Sequence, residues 1–134
     1  MKETWLPHKI RSSELEKIKS CSVEAKDQSG KVTKFEGFLL ADVLQSAGVK
    51  MGESLKGERL ASYSVIENSE GTRVVFALPE IDPDFSDRSI ILANRRDGKP
   101  LEKDGPLQIV IPAEKRYERW VKKVTTLSIL RSGT

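Results

Sequence analysis

One cysteine and one histidine are all that 134 residues supply of the side chains most often used for soft-metal binding and nucleophilic catalysis. A single cysteine closes no disulfide within the chain, and with one histidine it cannot build a zinc cage of thiolates and imidazoles. That count leaves the redox compartment open. Aromatic residues are scarce as well, at 6%, so the core must come mostly from Leu, Ile, Val and Ala. The longest apolar run, Val74–Leu78, is five residues, far short of the roughly 20 that a membrane-spanning helix needs. The opening Met-Lys-Glu-Thr-Trp lacks the apolar stretch of a signal peptide. These absences predict a soluble chain with no membrane span, cytoplasmic as it stands or exported where a signal peptide has been removed.

What is present is charge, 32% of the residues, with a formal net of +3. The excess is local. Residues 1–94 carry 13 basic and 15 acidic side chains, whereas residues 95–134 carry 10 and 5. The basic character peaks at Lys115, Arg116, Arg119, Lys122 and Lys123, opposed there only by Glu118, so an anionic ligand would be drawn to the C-terminal third. Turn signals alternate with apolar segments along the whole length, which fits one domain over 1–134 and excludes a disordered chain. Within it, 1–18 reads as an N-terminal segment with a short helix and 19–130 as the core.

Ser13 and Glu16 have capping-box spacing at the head of that short helix. Cys21, Val23 and Ala25 alternate with polar neighbours, Asp27-Gln28-Ser29-Gly30 turns the chain, and Val32 to Phe35 returns, which predicts a hairpin. Gly37 is expected to end the second strand. Leu40, Val43, Leu44 and Ala47 recur at helical spacing before Gly48. A second hairpin is expected from Leu60 to Ile66 and Thr72 to Leu78, with Tyr63, Val65, Val74 and Phe76 offered to the core. A helical or irregular segment follows over Asp87 to Asn94, then turns at Asp97-Gly98 and Asp104-Gly105-Pro106. Strands are expected at Leu107 to Ile111 and Trp120 to Leu130, the latter with a bulge near Lys122 and Lys123. No long helix separates successive strands, so the fold class is α+β, mixed and mostly β, rather than a parallel α/β sheet.

Few residues offer chemistry. Cys21 is the one candidate thiolate, weighed against the commoner role of a small buried hydrophobe. His8 follows Pro7 in the N-terminal segment, where a solvated or packed histidine is the ordinary case. Glu80, Asp82, Asp84 and Asp87 crowd four carboxylates into eight residues. Pro83 and Phe85 stand among them without the glycine and distal glutamate of a calcium loop, which favours a solvated acidic turn starting a helix. The main site candidate is the basic stretch: Arg116, Arg119 and Lys122 give two guanidinium forks and an ammonium beside the indole of Trp120, a set suited to phosphate and a flat ring. An exposed strand edge guarded by lysines is the plainer explanation.

The ordered motifs resemble a known family. Phe35-Glu36-Gly37, Leu40-Ala41-Asp42-Val43-Leu44 and Ala47-Gly48-Val49 are similar to the segment of sulfite-oxidase-type molybdopterin-binding domains in which an aromatic, a glycine and a leucine precede a short helix. Leu92-Ala93, Asp97-Gly98-Lys99-Pro100-Leu101, Gly105-Pro106-Leu107 and Val110-Ile111-Pro112 resemble the family's later series in the same order, and Arg119-Trp120-Val121-Lys122 resembles its closing segment. The match runs over about residues 19–130. It implies curved mixed sheets and, in the enzymes, a molybdenum pterin held by basic and polar loops. By this resemblance Lys122 corresponds to the lysine near the pterin phosphate, with Arg116 and Arg119 as looser candidates.

The chain also departs from the pattern. Where the enzymes place the metal-ligating cysteine, this chain has Asp27-Gln28-Ser29-Gly30, and Cys21 falls about six residues earlier. The Pro-Gly loop before Val-Lys is replaced by Pro112-Ala113-Glu114-Lys115-Arg116-Tyr117-Glu118. The expectation is therefore a small stand-alone relative that is not catalytic by itself. It would bind an anionic small molecule or a protein partner at Arg116, Arg119 and Lys122, with no cofactor required and molybdopterin the one the resemblance would allow. The alternatives are a molybdopterin-dependent oxidoreductase subunit and a basic nucleic-acid-binding module, the latter disfavoured by the scarcity of aromatics for stacking.

Overall fold

The structure, a computed structural model, describes residues 5–131. Residues 1–4 and 132–134, which the single-domain reading and the search for a signal peptide also took in, lie outside the described residues. Nine strands and three short helices follow in the order β1 (Trp5–Lys9), α1 (Ser12–Leu15), β2 (Cys21–Lys26), β3 (Val32–Leu39), α2 (Leu40–Ser46), β4 (Ser62–Asn68), β5 (Arg73–Ala77), α3 (Leu78–Ile81), β6 (Ile91–Arg96), β7 (Lys99–Pro100), β8 (Gln108–Val110) and β9 (Val124–Arg131). They form two sheets. One has the order β1-β9-β4-β5; in the other β2 pairs β3, β3 pairs β6, and β6 pairs both β7 and β8. Every pairing is antiparallel, so the fold is α+β and mostly β.

The sheets share one hydrophobic core, to which Phe35, Ile91, Leu92 and Ile109 contribute from one sheet and Ile66, Phe76, Leu127 and Ile129 from the other. Backbone bonds also join them: Ile109 N–H donates to Val121 O at 2.9 Å, and Val124 N–H to Leu107 O at 2.9 Å. The segment from Leu107 to Val124 thus carries the chain from one sheet to the other. Helix α2 closes one side, burying Leu40, Ala41, Val43 and Leu44. Among the described residues no helix is long and apolar enough to cross a membrane.

Both expected hairpins form, and several boundaries move for identifiable reasons. Helix α1 begins at Ser12 after Arg11 and has no side-chain cap; Glu14 bonds His8 instead, at 2.8 Å. Gly37 does not end its strand. It sits at a register shift between β3 and β6, and the strand continues to Leu39. The apolar residues expected in a helical or irregular stretch up to Asn94 open strand β6 at Ile91, flanked on both sides by partners. The last strand starts at Val124 rather than Trp120, because Lys123 adopts a left-handed φ of 57° and breaks the extended run.

On β4 the buried face is Ser62, Ser64, Ile66 and Asn68, with Tyr63 and Val65 half-buried on the other. That reverses the expected face for β4, while Phe76 on β5 is fully buried as expected. The register places small Ser64 opposite Phe76 and Ile66 opposite Val74, so serine leaves room where its partner strand supplies bulk.

Candidate functional site

A cleft of about 450 Å³ opens where turns from both sheets meet. The β2–β3 turn, the β4–β5 turn, the start of β8 and the segment from Tyr117 to Lys122 all contribute to its wall. Each is held by its own chemistry. The Asp27 carboxylate folds the first turn by accepting the N–H of Ser29 at 2.9 Å and of Lys31 at 3.1 Å. Asn68 does the same for the second, accepting from the N–H groups of Glu70 at 3.0 Å and Thr72 at 2.8 Å.

An aromatic group forms one wall. Trp120 meets Phe35 edge to face, with centroids 5.8 Å apart, and Tyr117 with centroids 4.8 Å apart. Tyr117 is fixed in turn, its hydroxyl donating to Lys26 O at 2.8 Å and Asp27 O at 3.1 Å. Such edge contacts add about 1 kcal/mol each beyond the area they bury, and they leave the indole little freedom.

Two polar atoms in this wall are unusual. The Oε1 of Gln108 and the Nε1–H of Trp120 are buried and have no hydrogen-bond partner, in side chains only 4% and 7% exposed. An unsatisfied buried donor or acceptor costs about 1–3 kcal/mol. Here an acceptor and a donor of that kind belong to two residues of the same cleft wall.

Of the three cations singled out in the sequence, only Lys122 lines the cleft, and each has a carboxylate of its own. Lys122 Nζ lies 3.3 Å from Asp104. Arg116 grips Glu118 with two bonds of 3.0 and 2.8 Å, a pairing that raises the guanidinium's pKa and lowers that of the carboxyl. Arg119 bonds Glu114 at 3.1 and 2.6 Å, Glu80 at 3.3 and 3.0 Å, and the carbonyl of Val75 at 2.9 Å. Its guanidinium also stands 4.4 Å from the centre of the Phe76 ring. The bond from Arg119 is the main reason the Glu114 carboxyl is held below its ordinary pKa.

Arg119 thus ties β5, α3 and the approach to Trp120 together. Arg119→Ala should lower stability by about 2 kcal/mol, because it leaves Glu114, with its side chain 14% exposed, short of its principal partner. Arg119→Lys should recover less than half, since an ammonium cannot reproduce the fork. Urea midpoints of the three proteins measure this.

Sequence reasoning passed over Arg96, which matters more to the cleft. It pairs with Asp27 across the sheet and lies 5.7 Å from the Phe35 ring centre, its register partner. The signal was present in Arg95-Arg96 at the end of an apolar strand. Adjacent residues of a strand face opposite ways, and these two line different cavities.

Cys21 is half-buried on β2 and does not line the cleft; burial pushes its thiol pKa up, with Asp42 acting the same way. In the acidic turn, Asp82 is buried and accepts from Gly52 N–H at 2.6 Å and Asp84 N–H at 2.9 Å, while Glu80 accepts from Ala77 N–H at 2.9 Å besides binding Arg119. Among the described residues no group of three or more His, Cys, Asp or Glu is placed to hold a metal ion. The cleft's first turn presents Asp27, Gln28 and Ser29, and Cys21 lies on β2 outside the cleft wall, so the lining offers no thiol.

Compared with known proteins, the chain matches no family model, and no curated protein is significantly similar to it.

Proposed function

We propose that this protein is a non-catalytic binding module built like the sulfite-oxidase-type molybdopterin-binding domains, holding a small polar ligand in the cleft between its two sheets. The observation that carries this reading is the pair of buried, unpartnered groups, Gln108 Oε1 and Trp120 Nε1–H. A ligand that accepts from the indole and donates to the amide oxygen would satisfy both. Planar nitrogen heterocycles with an adjacent N–H and C=O have that edge, and the aromatic wall of Trp120 and Tyr117 suits their shape.

An acidic substituent on the ligand would meet Lys122, whose ammonium is shared with Asp104 at 3.3 Å on a half-exposed side chain. The anionic character expected from the sequence thus enters as a secondary contact. Arg116 and Arg119, engaged with Glu118, Glu114 and Glu80, support the loop that carries Trp120.

The test is a titration of isotope-labelled protein with pterin-6-carboxylate and guanine, followed by the indole N–H resonance of Trp120 in the unmodified chain and, in every variant, by the backbone amide resonances of Gln28, Ser29 and Tyr117, which line the cleft. A saturable shift is expected, with affinity falling about tenfold or more in Gln108→Leu and in Trp120→Phe. Absence of a saturable shift with either compound, or binding unchanged in both variants, overturns the ligand assignment. Stoichiometric molybdenum in protein from molybdenum-replete cells would overturn the non-catalytic part.

A further inference from the structure

A second cavity, larger and different in chemistry, is lined by Asn94 and Arg95 of β6, whereas the polar cleft takes Arg96 from that strand. It is an open recess of about 630 Å³, within the range of small-molecule sites. Its wall is mostly apolar. Leu15, Phe38, Leu107 and Val124, all buried members of the core, contribute to it together with half-buried Ile10 and Leu101. Well-packed interiors keep few voids, because atoms facing empty space forfeit their dispersion contacts. An open apolar recess of this size is therefore the mark of a site to be filled.

The charges at its rim select the occupant. Lys9 and Arg95 both line the cavity, against one acid, Glu16. Arg95 donates to the carbonyl of Gly98, and among the described residues neither cation is paired with a carboxylate. The polar cleft is the reverse case. Its two cations, Arg96 and Lys122, are each paired, and four carboxylates line it. A carboxylate on an apolar chain would thus find the cations of the first cavity already paired with carboxylates and those of the second not.

We infer that this cavity binds an amphipathic monocarboxylate, a medium-chain fatty acid in type, with its chain against Leu15, Phe38 and Leu107 and its carboxylate at Lys9 and Arg95. The inference stands independently of the ligand of the polar cleft.

Isothermal titration of the full chain with decanoate, below its micellar concentration at pH 7, tests it. One-to-one binding is expected, at least tenfold tighter than for decanol. The Lys9→Gln, Arg95→Gln double variant should lose that preference while still binding decanol. Leu101→Trp, which fills the cavity from a half-exposed position, should abolish binding of both. Equal affinity for decanoate and decanol, or decanoate binding unchanged by Leu101→Trp in a folded protein, overturns the inference. So does the absence of binding in the unmodified chain.

Discussion

Gly37→Ala should destabilise the protein by about 3 kcal/mol or more, a large share of the roughly 5–15 kcal/mol that holds a folded domain together. The reason is spatial and does not involve an unusual backbone angle. A β-carbon at position 37 would lie 2.1 Å from the carbonyl oxygen of Leu92 and 2.6 Å from the α-carbon of Ala93. Both are backbone atoms of β6, fully buried and held between β3 and β8. No side chain can rotate away to relieve the clash. The strand itself would have to move, and with it the register that brings Phe35 opposite Arg96. Gly71→Ala is the matched control: that glycine has a φ of +84° with nothing within 4 Å, so only the left-handed conformation is penalised, by about 1 kcal/mol. Urea unfolding of both variants gives the comparison. A loss below 1 kcal/mol for Gly37→Ala would show that β3 and β6 can separate locally without penalty.

The same glycine marks where the sequence stops being legible. A glycine between an aromatic strand and a helical pattern reads locally as a terminator. Its real role depends on a strand more than fifty residues later that presses its backbone against it. Local signals did predict what local forces build: the Asp27 to Gly30 turn, the Asn68 to Gly71 turn and the amphipathic helix from Leu40 each formed where their own residues called for them. Strand β6 was missed because Ile90, Ile91 and Leu92 form an apolar run too short to carry a period, and only pairing on both sides makes it a strand. The candidate site shows the same division. A cluster of cations is visible in sequence, but apart from Glu118 beside Arg116 the carboxylates that neutralise it are not. Glu80 reaches Arg119 from thirty-nine residues away, and Asp104 reaches Lys122 from eighteen. Gln108 and Trp120 were unremarkable until the fold buried their polar atoms without partners.

Asp27→Asn should both weaken the protein and change what its cleft will bind. The carboxylate at position 27 accepts from Ser29 Oγ, from the N–H groups of Ser29 and Lys31, from Thr33 Oγ1 at 3.3 Å and from the guanidinium of Arg96. The Ser29 hydroxyl is foremost in holding its pKa down to about 2; burial opposes this, while the backbone donors and Arg96 assist. Its value in an unfolded chain is about 3.9. A folded-state value below the unfolded one means that the charged form stabilises the fold. That contribution is complete above about pH 4 and is lost as pH falls toward 2, amounting to about 2 kcal/mol. Asp27→Asn should therefore be about 2 kcal/mol less stable at pH 7 and should lose less further stability between pH 4 and pH 2 than the unmodified protein. Parallel urea midpoints at pH 7, 4 and 2.5 measure both, and identical acid slopes in the two proteins would refute the assignment. The substitution also releases Arg96 at the edge of the cleft, beside Phe35 and Trp120. An unpaired guanidinium there converts a cleft whose cations are all engaged into one with a free bidentate donor. Affinity for an anionic heterocycle should rise in Asp27→Asn even as stability falls, an opposition that general loosening of the turn would not produce.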